Sequence, residues 1–496
     1  MITMITKGLS AVVLLFVFTS TRVLASPDIL QVNTTTHRII DGTGRERYFH
    51  GANVVVKGPP WIPRTDKFDP YWSFCEEDMK LLQSWGLNAI RYGMMWPGVE
   101  PENGQYNDTY LAASRDIINK AGEYGIHTIL DMHQDVLSEK FCGEGIPDWA
   151  VDVGNAKDFP FPLDTPYTYD KEAGYPTTED CAKHDWSSYQ VAHATGAAYQ
   201  ALYNNSNGLA DKMAAFWGRV AQEFADNEYV LGYELINEPW AGDIYENPEL
   251  LVPTEADKIN LAPFYEILNP MIRKYDDKHS VYFTSVTWDE TRVGFSQVPG
   301  GHEYQNRSVL AWHFYIPPQL NDAITFYERQ KDIEKLGCAG FVTEFRLGDK
   351  TTLAKADEYL ISWTGWDYKA YVPITGSSNG FWNGVNGTLN TDLVKTMSRT
   401  YAQAVAGVAM EMKFDPDSLK FSLKYTITDA CSSTVTEIYL NEDIHYQMGY
   451  TVTLETSDKD GGGVMWSSPK HNTVQVQHDP TLPHGSIVTV TIEAKS

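Results

Sequence analysis

Tyr229-Val-Leu-Gly-Tyr-Glu-Leu-Ile-Asn-Glu-Pro239 is an apolar run with strand character that stops abruptly at Asn237-Glu238-Pro239. Proline has no N–H to donate to a ladder, so Glu238 arrives at the carboxyl end of a strand, where parallel sheets and barrels keep their chemistry. Ala339-Gly-Phe-Val-Thr-Glu-Phe345 repeats the design, a short apolar strand ending in a carboxylate, Glu344. Two strand-end glutamates predict a two-carboxylate enzyme.

Outward from these two strands, short apolar stretches recur at residues 48–56, 88–95, 128–132, 230–236, 281–286, 309–314, 340–343 and 363–366. Between them, residues 76–85, 111–124, 213–224, 264–275, 323–336 and 353–361 carry apolar side chains at helical spacing, and 392–405 reads as a closing helix. Eight strand–helix repeats predict an α/β fold, a (β/α)8 TIM barrel, over residues 26–412. Beyond it, residues 421–428, 434–440, 450–455, 473–477 and 486–492 alternate polar and apolar side chains, with a turn signal at Asp460-Gly-Gly-Gly463. Period-two strands without helices predict a small β-sandwich over residues 413–496, which either binds carbohydrate or shields the barrel.

One connection is far longer than the rest. Residues 133–199 are rich in Pro, Gly, Asp and Tyr and follow a barrel strand, which puts them on the catalytic face as a wall or lid. Trp149 and Trp186 within it either stack on sugar or pack the loop's own core.

The N-terminus has Lys7, an apolar run from Leu9 to Phe18, and Val23-Leu-Ala25, which reads as a secretory signal over residues 1–25. No later stretch has the length and apolarity of a membrane span, so a soluble mature protein is expected, secreted or delivered to a lysosomal or digestive compartment. Asn33, Asn107, Asn204, Asn306 and Asn386 begin acceptor tripeptides for N-glycosylation. Of five cysteines, Cys142 and Cys181 are the favoured disulfide, because both lie in the long irregular segment that needs bracing; the others stay open. A net charge of -26 argues against nucleic acid or anionic membranes as electrostatic partners and fits an acid working pH.

Acetal hydrolysis needs one carboxylic acid to protonate the leaving oxygen and one carboxylate on the other face of the sugar. Glu238 and Glu344 meet that need from strands four and seven. If their carboxyl groups face each other at about 5–5.5 Å, the reaction is retaining and passes through a covalent glycosyl-enzyme. Asp131-Met-His133-Gln-Asp135 has a faint metal-site flavour, but no third ligand cluster accompanies it, and neither metal nor cofactor is expected.

Asn237-Glu238-Pro239 with Glu344, Arg91 in Asn88-Ala-Ile-Arg-Tyr, His133, His313-Phe-Tyr315 and Trp366 together resemble glycoside hydrolase family 5. Gly51-Ala-Asn-Val-Val-Val-Lys57-Gly-Pro-Pro, Asp131-Met-His133-Gln-Asp135 and the C-terminal sandwich resemble the endoglycoceramidases of that family. The resemblance implies hydrolysis of the β-bond between an intact oligosaccharide and ceramide in glycosphingolipids, gangliosides or neutral glycolipids, by a monomer that meets micelles or membranes peripherally. It implies Glu238 as acid then base, Glu344 as nucleophile, and Asn237 on the sugar 2-hydroxyl. It further implies Arg91 and Tyr315 as supports of Glu344, His133 and His313 as hydrogen-bond donors around the carboxylates and sugar, Trp366 as a platform, and Lys57 and Asp131 as sugar-reading groups. Arg91 is also readable as a structural ion-pair partner, and Trp366 as a barrel-filling aromatic. Trp61, Ile62, Phe68, Tyr71 and Trp72 could rim an alkyl-chain groove or simply pack their loop. Two alternatives stand beside this: a family 5 β-glycosidase acting on β-glucan or glucosylceramide, and a glycolipid-binding protein without catalysis.

Overall fold

The computed structural model describes residues 30–172, 174–288, 291–371, 380–458 and 463–495. The expected signal segment and the turn at residues 460–462 lie outside the described residues. Three short strands come first, β1 (Gln31–Asn33), β2 (Arg38–Ile40) and β3 (Glu46–Arg47). Eight parallel strands then close into a barrel: β4 (His50–Val54), β5 (Ala89–Gly93), β6 (His127–Asp131), β7 (Val230–Glu234), β8 (Ser280–Thr284), β9 (Ser308–Phe314), β10 (Ala339–Phe345) and β11 (Ser362–Gly365), with β11 pairing back to β4. All eight are buried on both faces, which is why they read as continuous apolar runs rather than as alternation.

Amphipathic helices cover the barrel, among them Glu76–Ser84, Asp108–Glu123, Leu209–Phe224, Ala262–Tyr275, Asp322–Leu336 and Lys350–Tyr359. Between β8 and β9 the expected repeat shrinks, among the described residues, to one 3-10 turn, His302–Arg307. The expected closing helix over 392–405 is corrected: the helix is Thr391–Met397, and residues 401–405 are strand. Ser398, Arg399 and Thr400 are buried, and Tyr401 stacks on His50, so tertiary packing overrides the helical spacing there.

That strand, β12 (Tyr401–Val405), opens the second domain, followed by β13 (Val408–Asp415), β14 (Lys420–Thr426), β15 (Val435–Tyr439), β16 (Tyr450–Thr456), β17 (Val464–Lys470), β18 (Thr473–His478) and β19 (Ile487–Ala494). They form two antiparallel sheets, and one of them takes in β1, β2 and β3 from the other end of the chain. The boundary expected at residue 412 therefore falls inside β13, and the chain ahead of the barrel belongs to the sandwich sheet. Short strands of two to five residues escape a period-two search.

Two devices aim the site. In β10 the register slips at Thr343, so that Glu344, one residue later than a regular ladder would allow, pairs with His313 of β9. After β7, Glu238 adopts φ 37°, a left-handed conformation that costs a non-glycine residue on the order of 1–3 kcal/mol. Gln134 offsets that strain by donating through Nε2 to the carbonyls of Asn237 (2.6 Å) and Glu238 (3.2 Å), while its Oε1 accepts from Tyr199.

Candidate active site

A polar layer crosses the barrel interior just below the carboxyl ends of its strands. Arg91 of β5 is fully buried and makes hydrogen bonds to Glu234 (2.6 Å), Glu344 (2.6 Å), Asn53 (3.0 Å) and Asn237 (2.8 Å), and its Nη2 lies 2.9 Å from Asp131. Burial opposes its charge, but three carboxylates outweigh burial and keep it protonated. Glu234, which sequence reasoning misses, closes this layer and also accepts from the Thr343 hydroxyl at 3.0 Å. Its signal is present: a carboxylate inside an otherwise apolar barrel strand needs a buried partner.

Glu344 stands on that layer. Oε1 takes Arg91, and Oε2 accepts from the Tyr315 hydroxyl at 2.9 Å and lies 3.6 Å from His313 Nδ1. Burial pushes its carboxyl up, yet the positive charges of His313, Arg91 and His133 outweigh this and hold it below the ordinary glutamate value. Burial, reinforced by Glu344, keeps the Tyr315 phenol neutral and therefore a donor. Glu238 faces it, its Oε1 2.8 Å from His313 Nδ1. One carboxylate oxygen of Glu238, one of Glu344 and a ring nitrogen of His313 lie within 4.8 Å of one another. Burial opposes the charge on His313, but the Glu344 charge and the Glu238 hydrogen bond raise it above an ordinary imidazole. A small pocket opens beside Glu238 and His313, lined by Thr284, Ser285, Thr287 and Gln319 among others.

A second cluster lies alongside. Lys57 pairs with Asp135 and lies 3.3 Å from Glu144, with its ammonium 4.7 Å from the Trp366 ring and 5.8 Å from that of Trp186. Glu144 belongs to the long connection, and Gly143 and Gly145 let that chain lie flush on β6's exit. A Cβ on Gly143 would stand 1.8 Å from the Asp135 carbonyl oxygen, and one on Gly145 2.4 Å from Gln134. The third donor that sequence reasoning lacks is thus Glu144, grouped with His133 and Asp135. The Lys57 ammonium already fills the cation position among them, the arrangement of an ion-pair network rather than of a metal cage.

Asp131 is fully buried between Arg91 and His133 Nδ1 (2.8 Å), where it supports the layer. Trp149 packs edge-on against Trp96 and donates to the Glu100 carbonyl, a core aromatic of the loop, whereas Trp186 remains 46% exposed. Trp366 stacks on His133 at 5.3 Å and is not barrel filling. Asn237 has its amide oriented by Arg91 and the Gln134 carbonyl. Trp61, Ile62 and Trp72 pack against the barrel core, and Phe68 against Trp382, so these residues pack their loop. Cys142 and Cys181 form a disulfide that brackets the long connection, and Cys75, Cys338 and Cys431 are free.

The pH response of this cluster has a definite sign. Burial opposes a charged His133, but the hydrogen bond and charge of Asp131, with Asp135, push it up to about 9. Burial, with the Asp135 charge, pushes Glu144 up to about 8 against the pull of Lys57. Both groups hold protons more tightly folded than unfolded. The stability they contribute is complete below their unfolded values of about 4.3 (Glu144) and 6.5 (His133) and is lost as pH rises through about 8 and 9. Thermal midpoints should therefore fall between pH 5 and 9, and Glu144→Gln should flatten the fall below pH 8. A Glu144→Gln profile parallel to the parent's would assign the decline to other groups.

A cellulase model (glycosyl hydrolase family 5) matches residues 61–372, and a glycoside hydrolase family 5 C-terminal domain matches residues 399–492. The chain belongs to glycoside hydrolase family 5. Within the family it is 45% identical over 479 residues to the endoglycoceramidase of Cyanea nozakii, covering 94% of each chain. It is 45% identical over 440 residues to that of Hydra vulgaris, covering 88% of this chain and 85% of the relative. Among solved structures it shares the fold of endo-glycoceramidase II from Rhodococcus sp., with a TM-score of 0.71 at 22% identity over 92% of this chain and 99% of that one.

Proposed function

We propose that this chain is an endoglycoceramidase, a retaining hydrolase of the β-bond between oligosaccharide and ceramide in glycosphingolipids. The observation that carries the reading is the Glu238–Glu344 pair: an oxygen of each lies within 4.8 Å of the other, short of the roughly 6.5–9.5 Å that leaves room for an inverting pair's water, which puts the pair on the retaining side. Its substrate follows from 45% identity, over nearly the whole chain, to relatives named for ceramide-linked glycans. The Rhodococcus sp. protein of the same fold has been captured as a lactosyl-enzyme intermediate and as a ganglioside GM3 complex.

In this reading Glu238 protonates the glycosidic oxygen while a Glu344 oxygen attacks C1, forming a glycosyl ester and releasing ceramide. Glu238, now a carboxylate, takes a proton from water, which attacks C1 and frees the oligosaccharide with its configuration retained. His313, one hydrogen bond from Glu238, orients that carboxyl. Arg91 and Tyr315 hold the nucleophile ionised and oriented. Asn237 receives the sugar 2-hydroxyl, Trp366 lies under the ring, and Lys57 with His133 reads the remaining hydroxyls, all without a cofactor. Secretion of a monomer fits the disulfide and the exposed acceptors Asn204, Asn306 and Asn386, and among the described residues no helix is long and apolar enough to cross a membrane.

Purified protein incubated with a ganglioside, with both products weighed by mass spectrometry, should yield the intact oligosaccharide and free ceramide. Stepwise loss of single sugars, or action on β-glucan alone, would overturn the substrate assignment and leave the retaining chemistry standing.

A further inference from the structure

Three of the large apolar side chains left in solvent stand together beside the paired glutamates. Ile316, Leu320 and Ile324 are 66, 78 and 51% exposed, and Pro317, Pro318 and Ala323 between them are exposed as well. No charged residue interrupts the run from Phe314 to Asn321. Its backbone is nonetheless held. Gln319 turns inward, its Oε1 accepting from the Tyr315 N–H and its Nε2 donating to the Thr287 carbonyl, both at 3.0 Å, and its own N–H returns to the Tyr315 carbonyl. Asn321 then caps the helix Asp322–Leu336 by accepting from Ala323 and Ile324. The loop and the first helical turn are thus fixed with their apolar side chains outward, which is costly in water and marks a contact surface.

Its place in the fold selects the partner. Tyr315, the residue before Ile316, donates to Glu344, so the tip is continuous with the catalytic cleft. A substrate whose sugars enter that cleft keeps its alkyl chains in a lipid assembly, and the cleft mouth must come down to that surface. A chain of net charge -26 is repelled by an anionic surface, whereas a tip of Ile, Pro and Leu whose one charge is the anionic Asp322 suits the interfacial zone of a zwitterionic one. Other exposed apolar groups are less suited. Leu251 and Val252 sit among Glu246, Glu249 and Glu255, and Met465 and Trp466 belong to the sandwich.

We infer that residues 316–324 form a docking tip that seats the enzyme on a zwitterionic lipid surface, with the cleft mouth at the level of the headgroups. This deepens the proposed function and rests on it for the substrate, but docking itself is measurable without turnover. The test uses Leu320→Ser/Ile324→Ser, with Trp466→Ala as a comparison, in three assays. These are cosedimentation with substrate-free phosphatidylcholine vesicles, hydrolysis of a ganglioside in such vesicles, and hydrolysis of a soluble aryl β-lactoside. The double variant should lose about tenfold or more in vesicle binding and in turnover of the vesicle-borne lipid, with kcat/KM on the lactoside unchanged. Parent binding should weaken when phosphatidylserine replaces much of the phosphatidylcholine. Full vesicle binding by the double variant, or loss confined to Trp466→Ala, would overturn the assignment. So would equal losses on lipid and lactoside, or a parent dimer that the variant dissolves. Parent protein that sediments with vesicles but cleaves no glycolipid would refute the substrate reading while upholding the docking tip.

Discussion

Replacing Glu344 by glutamine is expected to lower kcat on every substrate by on the order of 10⁴-fold or more, since no other group can form the glycosyl ester. The amide keeps the shape of the side chain and leaves Arg91 and Tyr315 where they are, so the variant should melt near the parent and bind substrate. Glu238→Gln should behave differently. General acid–base catalysis is worth about 10²–10⁴, and an aryl glycoside with a good leaving group does not need the acid. On that substrate the first step should survive and the second should stall, so that a glycosyl adduct accumulates on Glu344 and is visible as a mass increase of the intact protein. Azide, which attacks without a base, should relieve the stall. An adduct that never forms in Glu238→Gln, or a burst in Glu344→Gln, would reverse the two roles.

Arg91→Met should be the most destabilising single substitution in the site. It leaves Glu234, Asp131 and Glu344 buried around an uncharged side chain, and removing one partner of a buried ion pair costs about 3–5 kcal/mol. Denaturant unfolding should register that loss, and Arg91→Met/Glu234→Gln should recover part of it, because one of the stranded charges is gone. Surviving activity carries its own sign. Glu344 is held low by His313, Arg91 and His133 together, so losing Arg91 raises its carboxyl and moves the acid limb of kcat/KM to higher pH. An Arg91→Met protein of parental stability would mean that the polar layer is not paired as described.

Residues that run along one strand, or that end one, are legible in the sequence. The Asn237-Glu238-Pro239 terminus, the matching Glu344 and the eight-fold repeat each rest on local chemistry: apolar runs of strand length, a proline that ends pairing, and helices of 3.6 period. What escapes is whatever depends on residues far apart in the chain. Glu234, a carboxylate in an apolar strand, signals a buried partner, but only the placing of β5 beside β7's layer makes that partner Arg91. Glu144 lies in a loop with no period to read, and only two glycines and a disulfide bring it to Lys57. Asp131 shares a face with His133 but lies deeper, against Arg91, and the depth of a residue within the barrel is not written in its spacing along the strand.

From the sequence by itself come the barrel, the appended sandwich and the two strand-end glutamates, because each is written in spacing and residue type along a short stretch of chain. Tertiary structure alone decides the bulge that sets Glu344 opposite His313, and the return of β1 to β3 into the sandwich sheet. It also decides the five-membered grip on Arg91 and the exposed tip after β9. Register, burial and exposure are properties of a residue's neighbours across the fold, and a linear pattern carries information only about neighbours along the chain.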